Sequence, residues 1–133
     1  MGIQNSSINI DGTVSATGGT ATGMITKGST LNQLLVIIDD SSEFIDETKA
    51  EFTVKSPAIQ ASAPNGYTQA RSKVRVFVPL ALDNGNQTLN TLTIEVACDH
   101  ETTAAEVESM LVLGAQLLSD SDYSDFWKKQ SLS

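Results

Sequence analysis

The chain is poor in the residues that catalysis, metal binding and disulfide folding draw on. Its one cysteine, Cys98, excludes an intramolecular disulfide and any cysteine-based zinc site. Its one histidine, His100, leaves no second imidazole to complete a metal centre. The two stand together in "TIEVACDH", with no orienting third group for a nucleophile–base pair. Cys98 is expected to be a buried, inert thiol at the end of an apolar strand, and His100 a surface or capping residue. No apolar run approaches the ~18–20 residues of a membrane helix. The opening "MGIQNSSINIDG" lacks the charged-then-apolar layout of a secretion signal, so synthesis in a cytosol without membrane contact is expected. Basic residues are scarce as well: eight Lys and Arg face sixteen Asp and Glu, a net charge of −8 that opposes indiscriminate binding to nucleic acid.

Glycines and acids are present without the order that would give them chemistry. "GTVSATGGTATG" has neither a phosphate-loop Lys nor a Rossmann context. Asp39, Asp40, Glu43, Asp46 and Glu47 lack the central Gly and closing Glu of a calcium loop. No catalytic residue, metal ligand or cofactor site is expected, and an enzyme is not the leading reading.

What the chain does have is a hydrophobic fraction of 40% over 133 residues, enough for the core of one domain. Ile8, Ile10 and Val14 alternate around Asp11-Gly12, a pattern that predicts a hairpin over residues 6–17. "GGTATGMITKG" reads as a looser strand ending near Gly28, and "LLVIID" at 34–39 is an apolar run of strand length. After "DDSSEFIDE", Phe52 and Val54 alternate with Glu51, Thr53 and Lys55. "SAPNGY" is a turn leading into "YTQARSKVRVFVP", and "LDNGNQ", Leu82 to Gln87, is a loop leading into "TLNTLTIEVACDH", with Leu92, Ile94 and Val96 on one side.

The pattern changes beyond residue 100. Val107, Met110, Leu111, Leu113, Leu117 and Leu118 recur at helical spacing behind a capping box, Thr103 with Glu106. "SDSDYSDFWKKQ" predicts a second short helix capped by Ser121, anchored by Phe126 and Trp127, with Lys128 and Lys129 at the end its dipole favours. The organisation expected is a single domain over 1–133: a hairpin region at 1–28, a sheet at 32–99 and a helical tail at 102–133. Strands first and helices last give an α+β class, an antiparallel sheet with helices on one face.

Charge is distributed unevenly over this plan. From Phe52 to Leu82 there is no Asp or Glu, while Lys55, Arg71, Lys73 and Arg75 stand there; the remainder carries sixteen acids against four bases. Arg71, Lys73 and Arg75 alternate with Val74, Val76 and Val78, so the cations share one strand face and the valines the other. With Thr53 and Lys55 on one flank and Thr91 and Thr93 on the other, this makes a face of Lys, Arg and Thr suited to a phosphate backbone. Strand positions turned to solvent are also often Lys, Arg or Thr for β propensity and solubility alone.

In order and content the chain resembles the coat proteins of the small single-stranded RNA bacteriophages, the leviviruses, from end to end. The residues that carry the likeness are "RSKVRVFVP", a basic alternating strand ending in Val-Pro; "APNGYTQAR" before it; and "ETTAAEVESMLVLGAQLLSDSDYSDFW", the helical tail. The resemblance implies a homodimer whose sheets join edge to edge, with Val107, Met110, Leu111, Leu117, Phe126 and Trp127 on helices laid across the partner. It implies assembly into an icosahedral capsid around single-stranded genomic RNA, with a phage maturation protein as a further partner. The place of such a protein is the virion, after synthesis in the bacterial cytoplasm.

By the same resemblance Arg71, Lys73 and Arg75 contact RNA, with Thr53, Lys55, Thr91 and Thr93 beside them, and the RNA bound includes a hairpin that serves as a translational operator. Leu82, Asp83, Asn84, Gly85, Asn86 and Gln87 form the loop at the symmetry axes. The family stacks an RNA base on an aromatic side chain, but "QTLNTLTIEV" has none, so Phe77 or Tyr67 substitutes or the RNA is read by charge and shape. The acidic segment Asp39 to Glu47 is expected to stay away from RNA. A non-assembling RNA-binding regulatory dimer and a small α+β ligand-binding module or enzyme stay open as alternatives.

Overall fold

The computed structural model describes residues 7–8, 23–39 and 43–132. Strands β1 (Ile25–Thr30), β2 (Gln33–Asp39), β3 (Thr48–Lys55), β4 (Ala70–Ala81) and β5 (Gln87–Cys98) are followed by helices α1 (Ala104–Ser119) and α2 (Ser124–Lys129). The chain divides into two compact units, a sheet unit within residues 20–100 and a helical unit that holds residues 101–133. The hairpin predicted over 6–17 lies outside the described residues, apart from Ser7 and Ile8.

The sheet is an antiparallel meander in the order β1-β2-β3-β4-β5, so each strand pairs with its neighbour in sequence. The strand expected to end near Gly28 runs on to Thr30, where Ser29 and Thr30 still pair with Leu34 and Gln33, and the ladder shifts register between Thr26 and Gly28 with Lys27 as an extra residue. The β4–β5 ladder runs without a shift from Ala70↔Cys98 to Ala81↔Gln87. Pro79 sits inside β4 without breaking it, because the pairing with β3 stops at Lys49↔Phe77 and no ladder on that side asks for its missing N–H.

Registers fix the two faces. Val36, Ala50, Phe52, Val54, Val74, Val76, Leu92 and Ile94 share one, and the apolar alternation seen in the sequence is theirs. Val36 and Ala50 are buried, while Phe52, Val54, Val78, Leu80, Leu92 and Ile94 stay exposed. Cys98 ends this face and is half-buried rather than fully enclosed.

In the helical unit α1 begins as its sequence demands. The Thr103 hydroxyl accepts from the Glu106 backbone N–H at 3.2 Å, and the Glu106 carboxylate accepts from the Thr103 N–H at 3.3 Å. The expected cap Ser121 is not one. Asp120 accepts from the Asp122 N–H at 3.0 Å and starts a 3₁₀ turn over Ser121–Tyr123, which delays α2 to Ser124 and leaves α2 without a side-chain cap. Tyr123 is buried and donates its hydroxyl to the Ser7 carbonyl, and the Trp127 indole donates to the Leu117 carbonyl at 2.7 Å, holding α2 against the end of α1. No side chain of α1 is buried, which leaves Met110, Leu111 and Leu117 exposed together with Trp127 of α2.

Candidate nucleic-acid interface

The site is assembled by register. Thr53 lies opposite Lys73 and Lys55 opposite Arg71, while Arg75 lies opposite both Glu51 on β3 and Thr93 on β5. Phe77 lies opposite Thr91. Thr53, Lys55, Arg71, Lys73, Arg75, Thr91 and Thr93 therefore share the face opposite the valines, as the alternation predicts. Lys55, Arg71, Thr91 and Thr93 are exposed, and Thr53, Lys73 and Arg75 are half-buried.

The face also carries two acids that the sequence argument passed over. Glu51 and Glu95 occupy the same parity as the cations, opposite Arg75 and Lys73. Glu95 accepts from the Arg71 guanidinium at 2.6 Å. Both lie outside the acid-free stretch from Phe52 to Leu82, Glu51 next to its start and Glu95 well beyond its end; strand parity, in "KAEFTVK" for Glu51 and "TLTIEV" for Glu95, is the signal that places them on this face.

Lys55 with Arg71 is a like-charge pair placed directly across the β3–β4 ladder, an arrangement that costs stability unless a negative charge lies between or beside them. Glu95 answers Arg71, and among the described residues Lys55 has no ion pair.

One end of the face is apolar and acidic. Leu35, Ile45, Phe77 and Leu89 line a cavity of about 600 Å³ together with Glu47, Lys49, Glu51 and Gln87. Glu47 is buried to 6% exposure and takes the Lys27 ammonium at 3.4 Å. Gln87, at the start of β5, donates to the carboxylate of Asp46. Ile45, Asp46 and Glu47 of the acidic segment thus reach one end of the sheet face that carries the cations. Glu43–Glu47 bridges β2 and β3 through a 3₁₀ turn that must close over one sheet face, and the apolar Ile45 directs it to the side where Leu35, Phe77 and Leu89 stand.

The two aromatic candidates end up at opposite ends of the basic run. Phe77 is half-buried in that cavity and covered by Arg75, whose Cζ lies 5.1 Å from the ring centroid. Tyr67 is exposed, with its ring 4.8 Å from that of His100. His100 is itself exposed, beside Asp99 at 3.3 Å, and plays no part in capping α1.

The loop Leu82–Gln87 is exposed throughout and closed by local bonds: Leu82 N–H to the Asn86 carbonyl at 2.8 Å and Asn86 N–H to the Asn84 side chain at 3.0 Å. Gly85 has φ +87, a value that side chains other than glycine's rarely take. Among the described residues no group of three or more His, Cys, Asp or Glu side chains could hold a metal ion, and no helix is long and apolar enough to cross a membrane.

No protein-family profile and no curated protein matches the chain. Solved structures do. A chain of the virus-like particle of bacteriophage GQ-907 shares 29% identity with this one, covers 98% of it and 99% of its own length, and superposes with a TM-score of 0.85. The virus-like particles of bacteriophages AVE019 and ESE058 share the fold at 6% and 12% identity, with TM-scores of 0.70 and 0.59, covering 88% and 87% of this chain and 92% and 99% of their own. The likeness read from the sequence is thus present in three dimensions: a five-stranded antiparallel sheet and two C-terminal helices, the architecture of bacteriophage coat proteins, a structural and non-enzymatic kind.

Proposed function

We propose, from a fold shared along almost its whole length with a bacteriophage coat chain, that this protein is a capsid subunit that dimerises, assembles into a closed shell and packages single-stranded RNA against the basic face of its sheet. The observation that carries the reading is the two-faced sheet on that fold: one face gathers Lys55, Arg71, Lys73 and Arg75 with Thr53, Thr91 and Thr93, and the other is apolar, with Phe52, Val54, Val78, Leu80, Leu92 and Ile94 exposed.

Dimerisation is supported by what a single chain leaves open. The two sheet edges differ: β1 has six residues and a bulge, whereas β5 has twelve residues in unbroken register, and among the described residues no strand pairs with its outer edge. Two copies of β5 meeting about a two-fold axis would join the sheets into one. Phe52, Val78, Leu80 and Leu92 would then be covered by helices of a partner, whose own Met110, Leu111, Leu117 and Trp127 need a surface. Val107 and Phe126, half-buried on the same helices, belong to that contact. The valine face turns toward the helices and the cationic face toward RNA, where Arg71, Lys73 and Arg75 neutralise phosphates and Thr53, Lys55, Thr91 and Thr93 fill neighbouring positions. The exposed loop Leu82–Gln87 would meet its copies at the symmetry axes. A maturation protein and an RNA hairpin acting as operator belong to the same proposal, by the resemblance.

Sedimentation velocity of the protein expressed alone in bacteria, followed at nucleic-acid and protein wavelengths, tests this. A fast uniform boundary rich in RNA absorbance is expected. A slow dimer that carries RNA without assembling would mark a regulatory RNA-binding protein instead, and a slow RNA-free species would overturn the reading.

A further inference from the structure

Two asparagines of the chain are followed by glycine, Asn65-Gly66 and Asn84-Gly85, and the fold treats them in opposite ways. Their backbones match. Gly66 and Gly85 have φ +76 and +87, each with open space where a Cβ would stand. Each glycine N–H closes a turn onto a nearby carbonyl, Gly66 onto Ala63 and Gly85 onto Leu82, both at 3.1 Å. The side chains differ. Asn84 is exposed, and its side-chain oxygen accepts from the Asn86 N–H at 3.0 Å, a bond that folds the side chain back over the Gly85 peptide. Asn65 is half-buried, and its amide nitrogen donates to the Asp99 carboxylate at 2.9 Å, with a ring nitrogen of His100 3.4 Å away.

We infer that Asn84 is a site of spontaneous covalent modification, in which its side-chain amide is lost as ammonia through a cyclic imide with the Gly85 backbone, and that Asn65 is protected from the same reaction. The inference goes beyond the capsid reading, and its chemistry does not depend on it.

The step balances with water as its one co-reactant. The Gly85 nitrogen gives its proton to solvent base and attacks the side-chain carbonyl carbon of Asn84. A carbon–nitrogen bond forms there, the bond to the amide nitrogen breaks, and that nitrogen leaves as ammonia with a proton from solvent. Water then opens the imide at either carbonyl. The product at position 84 is an aspartate, or an isoaspartate in which the main chain runs through the former side chain. Nothing is oxidised or reduced.

The surroundings set the two sites apart. As the ring closes, negative charge develops on the side-chain oxygen, and at Asn84 that oxygen already faces a backbone donor, the Asn86 N–H. At Asn65 the neighbour is instead a carboxylate, which opposes the developing charge and holds the nitrogen that has to leave. Glycine as the attacking residue presents no side chain to obstruct the approach at either site. Exposure gives solvent base and water access to Asn84, and Asn65 has less of both. On the capsid reading the loop Leu82–Gln87 meets its copies, so each event sets a new carboxylate beside Asp83 where like charges repel.

The test incubates the purified full-length protein in mildly alkaline buffer, folded and in urea, and follows both sites by peptide mapping with mass spectrometry. Isoaspartyl methyltransferase labels the isoaspartate independently. In the folded protein Asn84 is expected to react roughly ten-fold faster than Asn65, about what one hydrogen bond to the developing charge is worth. In urea the two sites should converge, because both have the same Asn-Gly sequence. The rate at Asn84 should rise with pH, since the Gly85 nitrogen must lose its proton. Asp99→Ala should speed the reaction at Asn65, and Asn84→Gln, which would have to close a larger ring, should leave position 84 intact. A folded-state ratio no different from that in urea, or faster reaction at Asn65, overturns the inference. Particles aged under the same conditions should come apart more readily than those of Asn84→Gln; a chain that forms no particles overturns the capsid reading and leaves the mapping result standing.

Discussion

Arg71 and Glu95 form a salt bridge of 2.6 Å diagonally across the β4–β5 ladder, on the face that otherwise gathers the cations of the sheet. Both side chains are more than a third exposed, so water screens the pair and its removal costs the fold well under about 1 kcal/mol. On the proposed RNA face its weight would fall on binding, because a guanidinium held by a carboxylate is drawn away from a phosphate.

Glu95→Gln should therefore tighten RNA binding and steepen its dependence on salt, adding about 0.7 to the slope of log K against log salt for the contact Arg71 regains. A salt titration of RNA affinity on the unassembled protein measures it. An unchanged slope would mean that Arg71 points at RNA regardless of its acid.

The capping box gives a stability prediction free of any RNA. Thr103→Ala removes the hydroxyl that receives the Glu106 N–H and should cost about 1 kcal/mol in denaturant unfolding, while Thr103→Ser should restore most of it. Equal loss in both variants would point to packing of the threonine methyl instead of the cap.

Glu47 is 6% exposed and faces Lys27, itself 40% exposed at its side chain. Lys27→Met strips a buried carboxylate of its countercharge, and a loss of roughly 1 kcal/mol is expected after allowing for the water that still reaches the site. Adding Glu47→Gln to that variant should recover part of the loss, a coupling that a double-mutant cycle by chemical denaturation reads directly.

Gly85 adopts φ +87 at the tip of the β4–β5 loop. Gly85→Val forces a branched side chain into the left-handed region at a cost of about 1–2 kcal/mol, with open space around the Cβ position to rule out a clash as the cause. Electron microscopy of particles from this variant should show fewer or malformed shells, with the secondary structure by circular dichroism unchanged.

The outline of this fold is legible in its alternation and punctuation. Val74, Val76 and Val78 against Arg71, Lys73 and Arg75 state a strand and its two faces with no tertiary information, and Thr103 with Glu106 states a helix start. Local signals misplace the start of the last helical segment, where Asp120 and not Ser121 caps the turn, and the end of β1, which pairs with β2 as far as Thr30. The composition of the basic face was harder to read, because linear proximity is a poor guide to a sheet. Glu95 is far from Arg71 along the chain yet bonded to it, and the acidic turn at 43–47 reaches the cationic face only through the fold. The stretch before β4 is legible as a turn in "SAPNGY", whereas the Ile59–Tyr67 bridge that closes it is made by backbone bonds and leaves no mark in the side-chain pattern.

The order of strands bears on how the chain comes into being. Because every ladder joins strands adjacent in sequence, each can zip as soon as the following strand has left the ribosome, with no early segment waiting on a distant one. β5, the long regular edge, is the last strand to be made and is followed at once by the helical tail. If β5 is the edge that meets a second copy, a nascent chain exposes that edge only after the other described strands have been made.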